Sequence, residues 1–432
     1  MQKKNVLQED KFSPALSVTL LLPTLFVLLV SALPSSAWAA TKFKTVHQFK
    51  APGPVGGLIS DSAGNLYGTT VGGGTDGFGT VFELSPDGSG GWKEKLLHSF
   101  TYRGGTNPYG SLVFDSAGNL YGTTQNGGSL NACQKHGCGV VFELSPNGTG
   151  GWTEKVLHTF QDGQDGFNPF AGLTLDSAGN LYGTTYFGGA NCRCGTVFEL
   201  SPKSDGTWTE KVIHSFNDNG TDGYFPYAGV ILDSAGNLYG TTVAGLNAMT
   251  GGTVFRLSPG KDGSWKESVL HSFGSYGKHG GQPYGGLIFD SSGNLYGTTL
   301  GGGPYHSGAV FELTPNGDGI WPVTVLHSFT GSSRYSTDGS HPHDSLIFDS
   351  AGNLYGTTLD GGNFANCGGG CGVVFELKPN QRGGWNETLL HMFNGTLGFY
   401  PFSGVILDGQ GNVYGTTFAD GVSPGTVFEV SP

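Results

Sequence analysis

Charged residues are scarce in this 432-residue chain: Asp, Glu, Lys and Arg together make up 12% of it, and the net charge is −12. Lys and Arg do not cluster along any segment, so we expect neither nucleic acid nor anionic lipid as a partner. After the first forty residues, no segment shows helical periodicity with capping residues. Glycine is abundant instead, with 78 residues. The Leu, Val, Ile, Phe and Tyr residues recur at regular intervals, which distinguishes the chain from a disordered one.

Long apolar runs are confined to the N-terminus. Three lysines precede a mostly apolar run, Ala15–Leu33, and the small residues Ala37 and Ala39 stand where a signal peptidase cleaves. We interpret residues 1–39 as a signal peptide rather than a membrane anchor, because Pro23 interrupts the run and a good cleavage site follows it. No second apolar run follows, so we expect a secreted or periplasmic protein without stable membrane insertion after signal removal.

One sequence unit recurs seven times within residues 40–432. Its clearest part reads Asp-Ser-Ala-Gly-Asn-Leu-Tyr-Gly-Thr-Thr, and successive copies are 54 to 61 residues apart. The leading residues of the seven copies are Asp61, Asp115, Asp176, Asp233, Asp290, Asp349 and Asp408. A period of this length is typical of propellers, solenoids and related arrays.

Each unit contains four short segments with the composition of β-strands. In the second unit they are Ser111–Asp115, Asn119–Thr124, Gly139–Leu144 and Trp152–Phe160. All four are rich in β-branched and aromatic residues and are bounded by Gly, Asn, Asp or Pro. Four strands per repeat form the blade of a propeller, so we predict one all-β domain over residues 40–432, a seven-bladed β-propeller.

The two ends of the repeat array complement each other. The chain ends at Pro432, just after the third strand of the seventh unit, whereas Lys42–Phe49 resembles a fourth strand with no unit before it. Its last four residues, Val-His-Gln-Phe, match Leu-His-Ser-Phe in the fourth strand of the first unit. We therefore predict that the N-terminal strand completes the last blade and closes the ring, which leaves no free sheet edge and favours a monomer.

The blocks Gly-Asn-Leu-Tyr-Gly-Thr-Thr and Gly-Thr-Val-Phe-Glu-Leu-Ser-Pro carry a resemblance to a known family. Over residues 42–432 the chain resembles the GloVer tandem-repeat family of bacterial secreted proteins, whose members carry varied C-terminal anchors. The resemblance implies an exported repeat protein and supplies no catalytic residues. The chain departs from the pattern in having no anchor after Pro432, which favours a soluble protein, and in having Arg256 where six units have Glu.

Several polar residues recur in every unit or nearly so, and we predict structural roles for them. The leading Asp of each unit fits a tight turn better than a calcium site, because each turn offers only one carboxylate. A His recurs in the fourth strand, where strict alternation would place His98 on one face with Trp92, Glu94, Leu96 and Phe100. We expect these His residues to bond between strands or blades, and the recurrent third-strand Glu to bond polar groups of the fourth strand. The recurrent histidines are His47, His98, His158, His214, His271, His327 and His391.

Six cysteines form three local pairs in the loops between the second and third strands. An even number of cysteines in an exported chain predicts disulfides, and the spacing matches no usual zinc module. The Cys192–Cys194 bridge would be strained, so free or redox-labile thiols remain an alternative for that pair. The pairs are Cys133 with Cys138, Cys192 with Cys194, and Cys367 with Cys371.

The sequence contains no convincing catalytic or metal-binding constellation. His341, His343 and Asp344 form the only local cluster with metal-ligand chemistry, but a histidine in a surface loop is usually just solvated. No Gly-x-Ser-x-Gly motif is present, and no carboxylate pair stands apart from the repeat. We therefore predict no bound metal and no cofactor.

An aromatic residue follows a proline just before the first strand of most units. These residues would surround the mouth of the central channel, where rings stack on sugar faces or apolar groups; the alternative is that they fill the junctions between blades. The predicted ligand-binding residues are Tyr109, Phe170, Tyr227, Tyr284, His343 and Phe402. Val55 takes the same place in the first unit.

The function favoured by these observations is an exported, non-catalytic scaffold that binds a small molecule, a glycan or a protein. The alternative is an extracellular enzyme on the same fold, such as a lyase or hydrolase that acts on a glycan or a lactone. Because unrelated functions share this fold, the choice between them depends on the site.

Overall fold

The computed structural model describes residues 41–50, 52–245, 250–274, 277–317, 319–331, 337–364, 367–396, 398–418 and 425–431. These residues form seven four-stranded antiparallel sheets, the blades of a seven-bladed β-propeller, as predicted. The predicted signal peptide, residues 1–39, lies outside the described residues. Within the described ranges, no helix has the length and hydrophobicity needed to cross a membrane.

Blades are numbered in chain order. The first strands are Ile59–Ser60, Val113–Phe114, Thr174–Leu175, Ile231–Leu232, Ile288–Phe289, Ile347–Phe348 and Ile406–Leu407. The second strands are Leu66–Thr70, Leu120–Thr124, Leu181–Thr185, Leu238–Thr242, Leu295–Thr299, Leu354–Thr358 and Val413–Thr417. The third strands are Thr80–Pro86, Val140–Pro146, Thr196–Pro202, Thr250–Pro259, Ala309–Leu313, Val373–Pro379 and Thr426–Ser431. The fourth strands are Trp92–Ser99, Trp152–Thr159, Trp208–Ser215, Trp265–Gly274, Val323–Ser328, Trp385–Met392 and, in blade 7, Lys42–Gln48.

The ring is closed as the sequence predicts. Lys42–Gln48 pairs antiparallel with Thr426–Ser431 and is the outermost strand of blade 7. The ring of Phe43 stacks on His391 of blade 6, with 3.8 Å between ring centroids. The N-terminal strand is therefore bound by backbone pairing within its blade and by ring contacts with the blade before it.

The first strands are shorter than predicted. In blade 2, only Val113–Phe114 pairs with the second strand, whereas the sequence suggested Ser111–Asp115. The residues before this strand approach the next blade closely: a Cβ atom added to Gly110 would lie 2.5 Å from the carbonyl carbon of Ala171. Near the axis, contacts between blades thus replace pairing within the blade.

The leading Asp of each unit organises the turn between the first and second strands. Asp61 Oδ1 accepts hydrogen bonds from the backbone N–H groups of Ala63 and Asn65, and Oδ2 accepts from the side chains of Asn65 and Tyr67. The same bonds recur in the other six blades. Burial raises the pKa of Asp61, but these hydrogen bonds outweigh it and hold that pKa below its usual value. Both carboxylate oxygens are used by the turn, as the turn interpretation requires.

Phenylalanines form the core between blades. A Phe at the end of each fourth strand, or just after it, packs on the third-strand Phe of the next blade, as Phe100 does on Phe142 with centroids 5.0 Å apart. This contact recurs at all seven junctions. The recurrent Gly in the second strand makes room for the third-strand ring, since a Cβ atom on Gly122 would lie 2.6 Å from Phe142 Cζ. That glycine therefore accommodates a ring of its own sheet.

A β-bulge in every fourth strand overturns the prediction that His98, Trp92, Glu94, Leu96 and Phe100 share one face. Leu96 is opposite Phe82 and His98 is opposite Val81, so Leu97 is an extra residue in the ladder. Equivalent register shifts occur in the other six blades. Because side chains alternate along a strand, one extra residue moves those beyond it to the opposite face.

The bulge lets one strand contact both neighbouring blades. In blade 1, Trp92 packs on Tyr414 of blade 7, and Glu94 pairs with His47 of blade 7. Beyond the bulge, His98 pairs with Glu154 of blade 2. The recurrent histidines thus face the next blade, but the predicted hydrogen bonds form only in part and the predicted faces were wrong. Within the described residues, Nε2 of His98, His271 and His327 has no hydrogen-bond partner.

The third-strand Glu was expected to bond the fourth strand, but its hydrogen bonds are mostly elsewhere. Glu83 accepts a hydrogen bond of 2.9 Å from Ser85, two residues along the same strand, while Lys95 of the fourth strand is 3.9 Å away. In blade 6, Tyr355 of the second strand donates to Glu376. The long Glu side chain thus bonds the closest donors on its own face of the sheet.

All three cysteine pairs form disulfides, including Cys192–Cys194, for which the sequence left free or redox-labile thiols as an alternative. Each bridge lies in the loop between the second and third strands, where Cys133–Lys135 forms a short 3₁₀ turn. These loops contact the segments that enter the first strands, as in the bridge between Thr106 and Asn126. Both sets of loops therefore share one face of the propeller.

Candidate functional site

The segments that enter the first strands of all seven blades surround one cavity at the centre of the ring. Its volume is 200 Å³, and it is lined by aromatic rings, small residues and backbone. Every predicted ligand-binding residue lies on it: Tyr109, Phe170, Tyr227, Tyr284, His343 and Phe402, which we call the aromatic collar. Val55 of blade 1 also lines the cavity and interrupts the collar.

The collar residues contact one another and stay partly exposed. Phe170 stacks on Tyr227 with centroids 4.9 Å apart, and Tyr284 stacks on His343 at 5.1 Å. Tyr227 also contacts His343, which comes from a blade two positions along the chain. All six side chains are intermediate in exposure. The rings thus pack on each other and also present surface to the cavity.

Hydrogen bonds between blades hold the collar in place. The first Thr of each Gly-Thr-Thr sequence donates its hydroxyl hydrogen to a backbone carbonyl just after the collar position of the next blade, as from Thr123 to Ala171. The bond recurs from Thr184, Thr241, Thr298, Thr357 and Thr416. Thr69 instead donates to Pro108, the residue before the collar position. The collar therefore stands on a backbone that is fixed all around the ring.

The collar tyrosines have hydroxyl groups without a hydrogen-bond partner in the described part of the chain. Tyr109, Tyr227 and Tyr284 form no hydrogen bond through their hydroxyls with any residue in the described ranges. Burial raises the pKa of all three, so the phenols are neutral at physiological pH. Burial likewise lowers the pKa of His343, which favours the neutral imidazole. The cavity thus offers aromatic faces and neutral donors.

The residues His341, His343 and Asp344 have separate partners. His341 Nδ1 lies 2.9 Å from Asp360 Oδ2, and His343 Nδ1 lies 3.3 Å from the carbonyl oxygen of Phe402. Asp344 accepts backbone hydrogen bonds from Ser345 and Gly404 through its two carboxylate oxygens. Asp344 is the only acidic residue among the described residues that line the cavity, and both of its carboxylate oxygens accept hydrogen bonds from the backbone.

A second group of polar side chains lies between the fourth strands of adjacent blades. The recurrent His of one blade faces a Glu from the next blade, with nitrogen–oxygen distances of 3.3 Å for His47–Glu94 and 3.5 Å for His98–Glu154. At two junctions the Glu position holds another residue, Phe43 or Val323. Without a carboxylate there, burial lowers the pKa of His271 and of His391 to about 4.

At two other junctions an Asp from the loop that follows the His joins the pair. The resulting clusters are His214–Asp222–Glu267 and His327–Asp338–Glu387. Burial and the neighbouring Asp222 raise the pKa of Glu267 to about 9, and burial raises that of Glu387 to about 8. Neither cluster is predicted from the sequence, although an acidic residue shortly after the recurrent His is a visible signal.

Comparisons with known proteins agree with this architecture. A family model described as the Gloeobacter/Verrucomicrobia repeat matches residues 35–146, 130–365 and 233–432. No curated protein sequence matches the chain.

Among solved structures, a Bacteroides uniformis protein provisionally named a 6-phosphogluconolactonase has a TM-score of 0.50 and 16% identity, over 81% of this chain and 88% of that one. The extracellular domain of a provisionally named one-component system from B. thetaiotaomicron has a TM-score of 0.50 and 12% identity, over 89% of this chain. The match spans only 39% of that second structure. At these identities, the similarities establish the fold alone.

Proposed function

The chain belongs to the Gloeobacter/Verrucomicrobia repeat family, and on that premise we propose that it is an exported binding propeller whose aromatic collar holds a neutral ligand, a carbohydrate. The observation that carries the proposal is the convergence of six recurrent-position rings, partly exposed, on one central cavity. Export is supported by the signal-like residues 1–39 and by the three disulfides, which form in oxidising compartments.

The chemistry of the cavity favours a neutral ligand with both apolar and hydroxyl-bearing faces. Aromatic rings bind the C–H faces of sugars, and the hydroxyls of Tyr109, Tyr227 and Tyr284 supply donors and acceptors for sugar hydroxyls. Both carboxylate oxygens of Asp344 accept hydrogen bonds from backbone N–H groups. The described lining thus has no second carboxylate to complete an acid–base pair, which favours binding over glycoside hydrolysis.

A glycan array probed with the protein from residue 40 onward tests this function. For a glycan that binds, replacing Tyr109→Ala together with Tyr284→Ala removes two stacking rings, and we expect a loss of about 2 kcal/mol, or roughly 30-fold in Kd. The melting temperature should fall little, because both rings are partly exposed. Isothermal titration calorimetry and thermal melting measure the two effects.

The matched control is Tyr305→Ala, which removes a Tyr that is 56% exposed and does not line the cavity. Unchanged affinity in the double variant would remove the collar from the site. A loss of several kcal/mol of folding stability in that variant would identify the rings as core packing instead. Release of a cleaved or ring-opened product from the bound glycan or from a lactone would favour the enzymatic alternative.

A further inference from the structure

Two junctions between blades bring together a His, an Asp and a Glu that come from three different segments. At the junction of blades 3 and 4, His214 ends a fourth strand, Asp222 lies in the loop that follows it, and Glu267 belongs to the next fourth strand. At the junction of blades 5 and 6, His327, Asp338 and Glu387 repeat this arrangement. In each cluster the ligand atoms all lie within 4.8 Å of one another.

The distances suit a shared cation. His327 Nε2 lies 3.5 Å from Asp338 Oδ2 and 3.6 Å from Glu387 Oε1, and His214 Nε2 lies 3.2 Å from Asp222 and 3.9 Å from Glu267. Tetrahedral ligands with metal bonds of about 2.1 Å are separated by roughly 3.4 Å. Modest side-chain adjustment would therefore bring either set of ligands to metal-binding geometry.

Both clusters contain buried polar atoms that lack hydrogen-bond partners among the described residues. Asp222 has a side chain only 3% exposed. Its Oδ2, which faces His214, accepts hydrogen bonds from Asn217, but its Oδ1 is buried without a partner, as is Oε1 of Glu267. In the second cluster, His327 Nε2 and Glu387 Oε1 are buried and likewise without a hydrogen bond. Buried polar atoms without partners are costly in proteins. His98, Glu154 and Glu210 at other junctions also have such atoms, so the two clusters are distinguished by bringing three ligand atoms together.

We propose that His214–Asp222–Glu267 and His327–Asp338–Glu387 are two equivalent sites for a divalent transition-metal cation of the zinc type, each fastening one blade to the next. One imidazole nitrogen and two carboxylates match the preference of zinc and its neighbours for mixed nitrogen and oxygen ligands. Calcium prefers six to eight oxygen ligands, which neither cluster supplies. The two carboxylates and the neutral imidazole would balance the charge of the cation, and water would complete its coordination.

Two other junctions between blades serve as controls for metal binding. At the junction of blades 2 and 3, His158 lies 3.3 Å from Asp165, but Glu210 makes no ion pair with His158. At the junction of blades 1 and 2, Glu154 faces His98, and Gly104 lies against the Glu carboxylate, where a Cβ atom would be 2.5 Å from it. We therefore expect no high-affinity metal at these junctions.

Metal content measures the proposal directly. Protein from residue 40 onward, without a polyhistidine tag, is stripped with a chelator, equilibrated with Zn²⁺, desalted and analysed by inductively coupled plasma mass spectrometry. We expect one zinc ion for each of the two clusters. Glu267→Gln and Glu387→Gln should each remove one, the double variant should remove both, and Glu210→Gln should remove none.

Two further readouts keep the test independent of variant folding. Co²⁺ bound to the wild-type protein should show the intense visible absorption of a low-coordinate site, and Zn²⁺ should abolish it. Zn²⁺ should also raise the melting temperature of the wild type but not of the double variant, since a ligand that binds only the folded state stabilises it.

Equal zinc content in the wild type and the double variant would overturn the proposal. Wild-type protein without cobalt absorption would also overturn it. Neither result would affect glycan binding at the collar.

Discussion

At the scale of single residues, the seven blades provide near-identical positions, so a residue that differs in one blade can be compared with its equivalents in the others. The Glu that faces each recurrent His is replaced by Phe43 at one junction and by Val323 at another. The two histidines at these junctions, His391 and His271, are the two whose pKa burial lowers to about 4. Where the next blade supplies no carboxylate, burial therefore keeps the imidazole neutral at physiological pH.

Val323→Glu should restore the missing carboxylate and raise the pKa of His271, although the neighbouring His279 opposes this. In the wild type, the unfolded chain binds a proton at His271 near its ordinary pKa of 6.5, before the folded protein does. This residue therefore costs stability as pH falls from about 6.5 to 4, and the variant should lose less stability over that range. NMR titration of the His271 ring and urea unfolding at pH 7 and pH 5 measure the two effects.

Thr324→Glu is the matched control, because it adds the same charge at an exposed neighbouring position. It should leave the pKa of His271 low. An equal rise in both variants would mean that net charge, and not the contact between blades, controls the imidazole.

At the scale of elements, the bulged fourth strand and the disulfide-closed loop have separate tasks. The bulge directs one half of the strand to the preceding blade and the other half to the following blade. The disulfides lie in the loops between the second and third strands, outside the pairing of the blades. The blades should therefore persist when the bridges are opened.

Peptide mapping without reduction should find the peptides joined by Cys133–Cys138 and Cys367–Cys371 two hydrogens lighter than their reduced forms. Because each bridge closes a short loop, reduction should lower the free energy of unfolding by about 2 kcal/mol or less per bridge. The β-sheet circular dichroism should be retained. Cys133→Ser with Cys138→Ser is the single-bridge comparison, and free thiols at all four positions, or collapse of the β signal on reduction, would contradict this account.

At the scale of the whole molecule, stability depends on closing the ring. Lys42–Gln48 completes blade 7, and Phe43 contacts Phe393 and Phe428, while Phe49 packs on Phe82 of blade 1. Every other junction has its counterpart contacts within continuous sequence, so the N-terminal strand is the one closing element that can be removed without cutting the chain.

A variant that starts at residue 51 should melt far below the protein that starts at residue 40, and should aggregate, because the third strand of blade 7 becomes an exposed sheet edge and the ring contacts of Phe43 and Phe49 are lost. Losing a buried Phe alone typically costs 3–5 kcal/mol, a large part of about 5–15 kcal/mol of total stability. Differential scanning calorimetry and size-exclusion chromatography measure both effects. A synthetic peptide of residues 41–50 should restore the melting temperature by pairing with the open edge, and a scrambled peptide should not. A truncated variant that stays monomeric with an unchanged melting temperature would contradict the role of closure.

The sequence by itself determined the number of blades, the four strands in each, the closure by Lys42–Gln48 and the residues that meet at the collar. Each of these follows from local patterns, such as strand alternation and turn residues. Because the sequence unit repeats regularly, equivalent residues of all blades lie at the same distance from the propeller axis. The collar could be predicted because every blade brings its residue to the same axis, so no pairing of distant segments had to be guessed.

Only the tertiary structure decided what depends on register and on contacts between blades. The bulge at Leu97 has no compositional signal, because an extra apolar residue in a strand resembles any other, yet it reverses the face of His98. The cluster His214–Asp222–Glu267 likewise joins a strand end, a loop of variable length and the next blade. Whether such groups meet depends on the loop conformation to within an ångström. His214 pairs with both acids, whereas His158, with the same residue types around it, pairs only with Asp165.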